Sequence, residues 1–262
     1  MKAPENILSV WKKFDDFPME TFTKAWHFEK AKGKKQRSIA LMNEYRKRYG
    51  VSGNCFDLAI WLLDEFKKAG IRAYPIGNEL NTEDAHAAVI AVGDNGCRYL
   101  CDLGDLWLQP ILIDSEQEEF TSEKLPGFFP AAEVQLLPKD TDIEIIYHRP
   151  GGKQSNQFYE TREVGMEFFM EAAEFSQNHV YPKPLFEKRV PHKDGMAHWE
   201  FDDWKSFLST NDGLFPEKVL DTTTEWAERI HQWTGVDRQF LFEALEIYGQ
   251  KTVREKRELL ED

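Results

Sequence analysis

Between Gly53 and Gly104 the apolar pattern of the chain switches from the period of a helix to that of strands, and no other feature restricts the fold as much. Cys55, Ala59, Leu62 or Leu63, and Phe66 recur at helical spacing, and Gly70 stands where a C-cap would end a helix. Residues 71–76 then read as a strand demoted towards a sheet edge by Pro75. Residues 87–92 read as a buried strand, and residues 98–102 as its partner across Asp94-Asn95-Gly96. A buried helix followed by a hairpin points to an α+β fold.

The loop length of that hairpin decides which side chains share a face, because side chains alternate with period two. A two-residue loop at Asn95-Gly96 would pair Asp94 with Cys97 and send His86 and Asp102 to opposite faces. A three-residue loop pairs Gly93 with Cys97 and sets Asp102 opposite Ala88, diagonal to His86 and on its face. A type I turn over Asp-Asn closed by a left-handed Gly is the favoured three-residue form. The sequence therefore predicts positive φ at Gly96 and a hydrogen bond from His86 to Asp102.

Elsewhere the chain falls into three regions. Residues 1–70 carry helical spacing in Trp11, Phe14, Phe17, Trp26, Ile39, Met42 and Tyr45, and end in the Cys55 helix. Residues 71–200 are β-rich, with further strands expected at 111–113, 134–137, 143–148 and 157–159. Residues 201–262 read as helical again, with Trp226, Ile230, Trp233, Phe240, Leu241, Leu245 and Tyr248, and close on a charged tail from Arg254. With 33 Lys plus Arg against 46 Asp plus Glu, the net charge of -13 opposes general binding of nucleic acid or anionic membranes. The longest apolar stretch, residues 56–63, is far below the roughly 20 residues needed to cross a bilayer. Three cysteines and no apolar leader fit a reducing, cytoplasmic setting.

Several chemistries drop out for want of their motifs: H-E-x-x-H, G-x-S-x-G and G-x-G-x-x-G are all missing. His192 and His198, with Asp194 between them, lack Cys or His partners at ligand spacing, so a surface loop is expected there and no metal site. Cys97 and Cys101 alternate along a strand and read as buried structural thiols. Cys55 differs, because it opens a helix whose free N–H groups and dipole would favour a thiolate. A base and a group to orient it are available downstream in His86 and Asp102. The competing reading is a buried Cys, a strand-end His and a turn Asp.

The segments GNCFDLAIWLLDEFKKAGIRAYPIG, DAHAAVIAV and GCRYLCDLG, in the order Cys, His, Asp, resemble the papain-like thiol enzymes of the arylamine N-acetyltransferase and transglutaminase-like group. The resemblance implies N-terminal helices, a central antiparallel β-sheet or barrel and a C-terminal helical lid. It also implies a triad of Cys55 as nucleophile, His86 as base and then acid, and Asp102 as orienter, working through a thioester. The length, Gln109-Pro110-Ile111 and residues 178–186 (NHVYPKPLF) are similar to the acetyltransferases. Those enzymes carry R-G-G-x-C where this chain has Val51-Ser52-Gly53-Asn54-Cys55, and Asp57-Leu58-Ala59 with residues 69–73 resembles the transglutaminase-like core instead.

On the first branch, an acetyl-CoA-like donor acylates a small amine, with no tightly bound cofactor. On the second, the chain is a transglutaminase-like amidase or cysteine peptidase acting on glutamine or peptide bonds, and a catalytically inactive binding protein of the same fold is the third reading. Nine Lys/Arg against two Asp/Glu between Lys24 and Arg48 make a local +7. That segment is either a solvated helix face or a phosphate landing site at Lys30, Lys32, Lys34, Lys35 and Arg37 for a coenzyme A thioester.

Overall fold

The computed structural model describes residues 1–193 and 195–261, with side chains as far as residue 251; Asp194 and the side chains of the charged tail lie outside the described residues. Four helices and one short strand come first: α1 (Glu5–Trp11), β1 (Met19–Glu20), α2 (Phe22–Lys30), α3 (Ile39–Tyr49) and α4 (Cys55–Lys68). Helix α4 buries Phe56, Leu58, Ala59, Ile60, Trp61, Leu62 and Phe66. Burial of each large side chain contributes about 1.5–3 kcal/mol. The helix stops as the sequence predicts: Gly70, at φ 71°, lets Ile71 N–H donate to Phe66 O and its own N–H to Lys67 O.

Helix α4 packs on an antiparallel sheet of β2 (Ala73–Asn78), β3 (His86–Val92), β4 (Arg98–Cys101) and β5 (Ile111–Leu112), in that spatial order. Pro75 lies on the edge strand β2, where a missing N–H costs no ladder bond. The hairpin has the three-residue loop. Gly93 N–H donates to Cys97 O at 2.9 Å, Gly96 N–H donates to Gly93 O at 2.8 Å, and Gly96 has φ 83°. Val89 pairs with Cys101, so the next step of the register sets Ala88 opposite Asp102.

A second antiparallel sheet holds β6 (Leu125–Phe129), β7 (Ala132–Lys139), β8 (Asp142–His148) and β9 (Gln154–Tyr159), followed by α5 (Met166–Asn178). The third sheet runs β1, β10 (Leu185–His192), β11 (Gly195–Asp202), β12 (Lys205–Thr210), β13 (Gly213–Pro216). Its last two strands correct the expectation of helix directly after Asp202. Asp203 and Trp204 sit at φ 45° and 62° between the paired Asp202 and Lys205, a two-residue turn of the I′ kind that continues the sheet. Helix resumes only at α6 (Thr223–Thr234) and α7 (Arg238–Glu261). These two pack with α2 and the third sheet around Phe22, Trp26, Phe186, Trp199, Phe201 and Trp226, a core separate from the one behind α4. Among the described residues no helix is long and apolar enough to cross a membrane.

Candidate active site

Cys55 is the first residue of α4 and is half-buried. Its position is fixed by the residues on either side. Asn54 caps the helix by accepting from Asp57 N–H at 3.2 Å, and Asp57 returns the bond by accepting from Asn54 N–H at 3.1 Å. The Asp57 carboxylate is fully buried and accepts three more donors: Arg37 Nη2 at 2.6 Å, Gln36 Nε2 at 2.8 Å and Gln177 Nε2 at 3.0 Å. Gly53 has φ 111°, and a Cβ there would lie 2.3 Å from both Arg37 Nη2 and Asp57 Oδ2, so only glycine fits. A guanidinium does stand beside this loop, but it comes from Arg37 and not from position 51.

His86 begins β3, and its Nε2 lies 2.6 Å from Asp102 Oδ2. Asp102 is fully buried and also accepts from Tyr159 OH at 2.8 Å and from Asp105 N–H at 2.9 Å. Tyr147 OH donates to Asp105 at 3.1 Å. Burial by itself would favour a neutral imidazole. The Asp102 charge and hydrogen bond, the Cys55 thiol and Asp105 outweigh it and hold the His86 pKa well above its ordinary value. Asp105 is pushed up to about 6 by burial and by the neighbouring Asp102 charge.

The three side chains named from the sequence meet around Gly104. A Cβ on Gly104 would lie 2.6 Å from Cys55 Cβ and 3.2 Å from both His86 Cε1 and Asp102 Oδ1. Gly104→Ala is therefore expected to push Cys55 and His86 apart and to slow modification of the Cys55 thiol by about a hundredfold. Alkylation kinetics checks this, and a variant reacting at the wild-type rate would show that the pocket floor yields. Of the remaining thiols, Cys97 and Cys101 are buried, and burial pushes the pKa of each upward.

The Arg37 side chain is wholly buried against Asp57, and Lys35 Nζ donates to the carbonyls of Phe28 and Ala31 at the end of α2, which commits both cations to the fold. Lys34 is exposed. Sequence reasoning missed Tyr159 and Tyr147, which come from distant strands, and Asp105, which lies three residues past Asp102 in the following loop. It also missed Asp57, although Asn54-x-x-Asp57 at a helix start is a readable capping signal. Lys24 of α2 was missed as well: it is buried, and burial lowers its pKa to about 8 while Cys55 and Asp57 draw it back up.

No model of a known protein family matches this chain, and no protein of curated function matches it in sequence. Solved structures do match. The arylamine N-acetyltransferase from M. tuberculosis aligns over 92% of this chain and 91% of its own, with TM-score 0.68 at 13% identity. The Mycobacterium marinum enzyme in complex with CoA aligns over 87% and 86%, with TM-score 0.64 at 13% identity. The Bacillus cereus enzyme described with a Cys-His-Glu catalytic triad aligns over 90% and 92%, with TM-score 0.60 at 17% identity. The chain shares the fold of these proteins across nearly its whole length.

Proposed function

We propose that the protein is an acyltransferase that carries an acyl group from a coenzyme A thioester to a small amine through a thioester on Cys55. The observation that carries this reading is the His86–Asp102 hydrogen bond at the mouth of the Cys55 helix, with all three side chains gathered over Gly104. The likeness of fold to arylamine N-acetyltransferases over about nine-tenths of the chain favours this branch of thiol chemistry over an amidase or peptidase. On this reading α4 packed on β2–β5 is a papain-like core.

In the first half-reaction the proton of Cys55 passes to His86, and the sulfur attacks the thioester carbonyl. The tetrahedral intermediate collapses as the coenzyme A sulfur leaves and takes the proton back from His86. The amine then attacks the Cys55 thioester, His86 accepts the amine proton, and the Cys55 sulfur departs with the proton returned to it. Asp102 holds the ring with Nε2 turned towards itself, which leaves Nδ1 for the thiol, and stabilises the imidazolium. The Cys55 backbone N–H, unpaired by its place in the first helical turn, is the natural donor to the developing oxyanion.

Phosphates need cations, and this acidic chain gathers them at a cavity of about 730 Å³ lined by Lys124, His148, Arg149 and Lys153, with Gly127 and Gly152. A neighbouring cavity shares Arg149, Pro150 and Lys153 with it and reaches Asp105 and Tyr147 beside the triad. We assign the coenzyme's phosphates to this basic wall in place of Lys34, Lys35 and Arg37.

Intact-mass analysis after mixing with acetyl-CoA, in the absence of an amine, tests the reading. One acetyl group is expected on the wild type and none on Cys55→Ala. An unmodified wild type, or acetylation that persists in Cys55→Ala, would overturn it, and an adduct formed only from glutaminyl peptides would move the protein to the transglutaminase-like branch.

A further inference from the structure

His198 is not on a surface loop. It lies within β11, is only 9% exposed, and faces a cavity of about 610 Å³. The register of the third sheet sets Glu187 of β10 directly opposite Glu200 of β11, and His198, two residues before Glu200, shares their face. All three line the cavity, and one ligand atom from each lies within 4.8 Å of the other two. Two carboxylates directly opposite across an antiparallel ladder repel each other. His198 Nε2 lies 3.0 Å from Glu187 Oε1, within ion-pair distance although off the geometry of a good hydrogen bond, so a single imidazole stands against two carboxylates. The ring nitrogen and the two carboxylates converge on one point, where a cation would offset the excess negative charge.

We propose that Glu187, His198 and Glu200 form a binding site for one divalent transition-metal ion, with zinc the best match, whose remaining coordination positions face the cavity. One imidazole nitrogen and two carboxylate oxygens make a borderline donor set suited to zinc. All three ligands stand on neighbouring strands of one sheet, so their backbone spacing is fixed before the ion arrives. Zinc–ligand distances of about 2.0–2.2 Å at tetrahedral angles separate ligand atoms by about 3.4 Å, a spacing that glutamate rotamers can reach from atoms already within 4.8 Å of one another. The dication would replace the Glu187–Glu200 repulsion by attraction to a common centre and tie β10 to β11. Arg149 and Lys153 line the same cavity, and the Arg149 charge reaches His198 and Glu200, but among the described residues neither cation forms an ion pair with Glu187 or Glu200. Arg149 is engaged with Ser155 Oγ and with the rings of Phe129 and Tyr147.

The site shares no residue with the Cys55 triad although its cavity reaches Asp105, and the test keeps the two apart. Titration of Cys55→Ser protein with Zn²⁺ by calorimetry removes the competing thiol, and thermal unfolding with and without the ion gives a second readout. One equivalent should bind and raise the melting temperature by several degrees. Adding Glu200→Gln, which keeps the side-chain shape and relieves the repulsion, should weaken binding by about tenfold or more, as should His198→Gln. His86→Gln should leave it unchanged. No binding, binding indifferent to both Glu200→Gln and His198→Gln, or binding lost with His86→Gln would each overturn the proposal.

Discussion

His86→Gln is expected to slow acylation of Cys55 by about 10³-fold or more, with the protein still folded. The substitution keeps a polar side chain of similar length but removes the group that accepts the thiol proton and returns it to the leaving group. General acid–base catalysis of this kind is worth about 10²–10⁴ in rate. Single-turnover acylation by acetyl-CoA, followed by intact mass, measures the effect, and a wild-type rate would remove His86 from the chemistry.

The same variant carries a second signature. In the wild type the His86 pKa is raised in the folded state by Asp102, which lies at the bottom of the site with no exposed surface. Its contribution to stability is fully present below the unfolded value of about 6.5 and is lost as pH rises through the raised folded value. Denaturant unfolding of the wild type should therefore show stability falling above neutral pH. The fall should be smaller in His86→Gln.

How much of this was legible in the sequence depends on whether the signal was local. Helix α4 and its Gly70 stop, the edge strand at Pro75 and the bulged hairpin are set by residues within a few positions of one another, and each is read correctly from spacing and turn chemistry. The hairpin register also gave the shared face of His86 and Asp102, since parity alone decides it. Where strands were placed by apolar runs their ends are short: β9 begins at Gln154, three residues before the expected start, in a polar stretch that gains its structure from pairing with β8. The strands after Asp202 were missed although Asp202-Asp203 and Asn211-Asp212-Gly213 are turn signals, because Trp226 and the apolar periodicity beyond it extended the helical reading backwards. The disposition of the basic run near Arg37 is not legible for a different reason. Charge density counts cations without showing which are spent, and the Arg37 partner is Asp57, twenty positions away.

That pair leads to the second large effect. Arg37→Met is expected to destabilise the protein by about 3–5 kcal/mol, because it leaves the Asp57 carboxylate buried without a countercharge. Urea unfolding measures the loss. The pair is not thereby a net stabiliser: Arg37 Nε and Nη1 are buried without hydrogen-bond partners, so the desolvation of the guanidinium is only partly offset. Replacing both members should accordingly recover much of the stability, so that Arg37→Met with Asp57→Asn unfolds closer to the wild type than Arg37→Met does. Acylation should not recover with it. Asp57 closes the capping box that positions Cys55, and the Arg37 guanidinium fills the space left open by Gly53, so the double variant should fold well and still acylate more slowly than the wild type. If stability and acylation recover together, the ion pair serves packing alone and the Cys55 loop is held by Gln36 and Gln177.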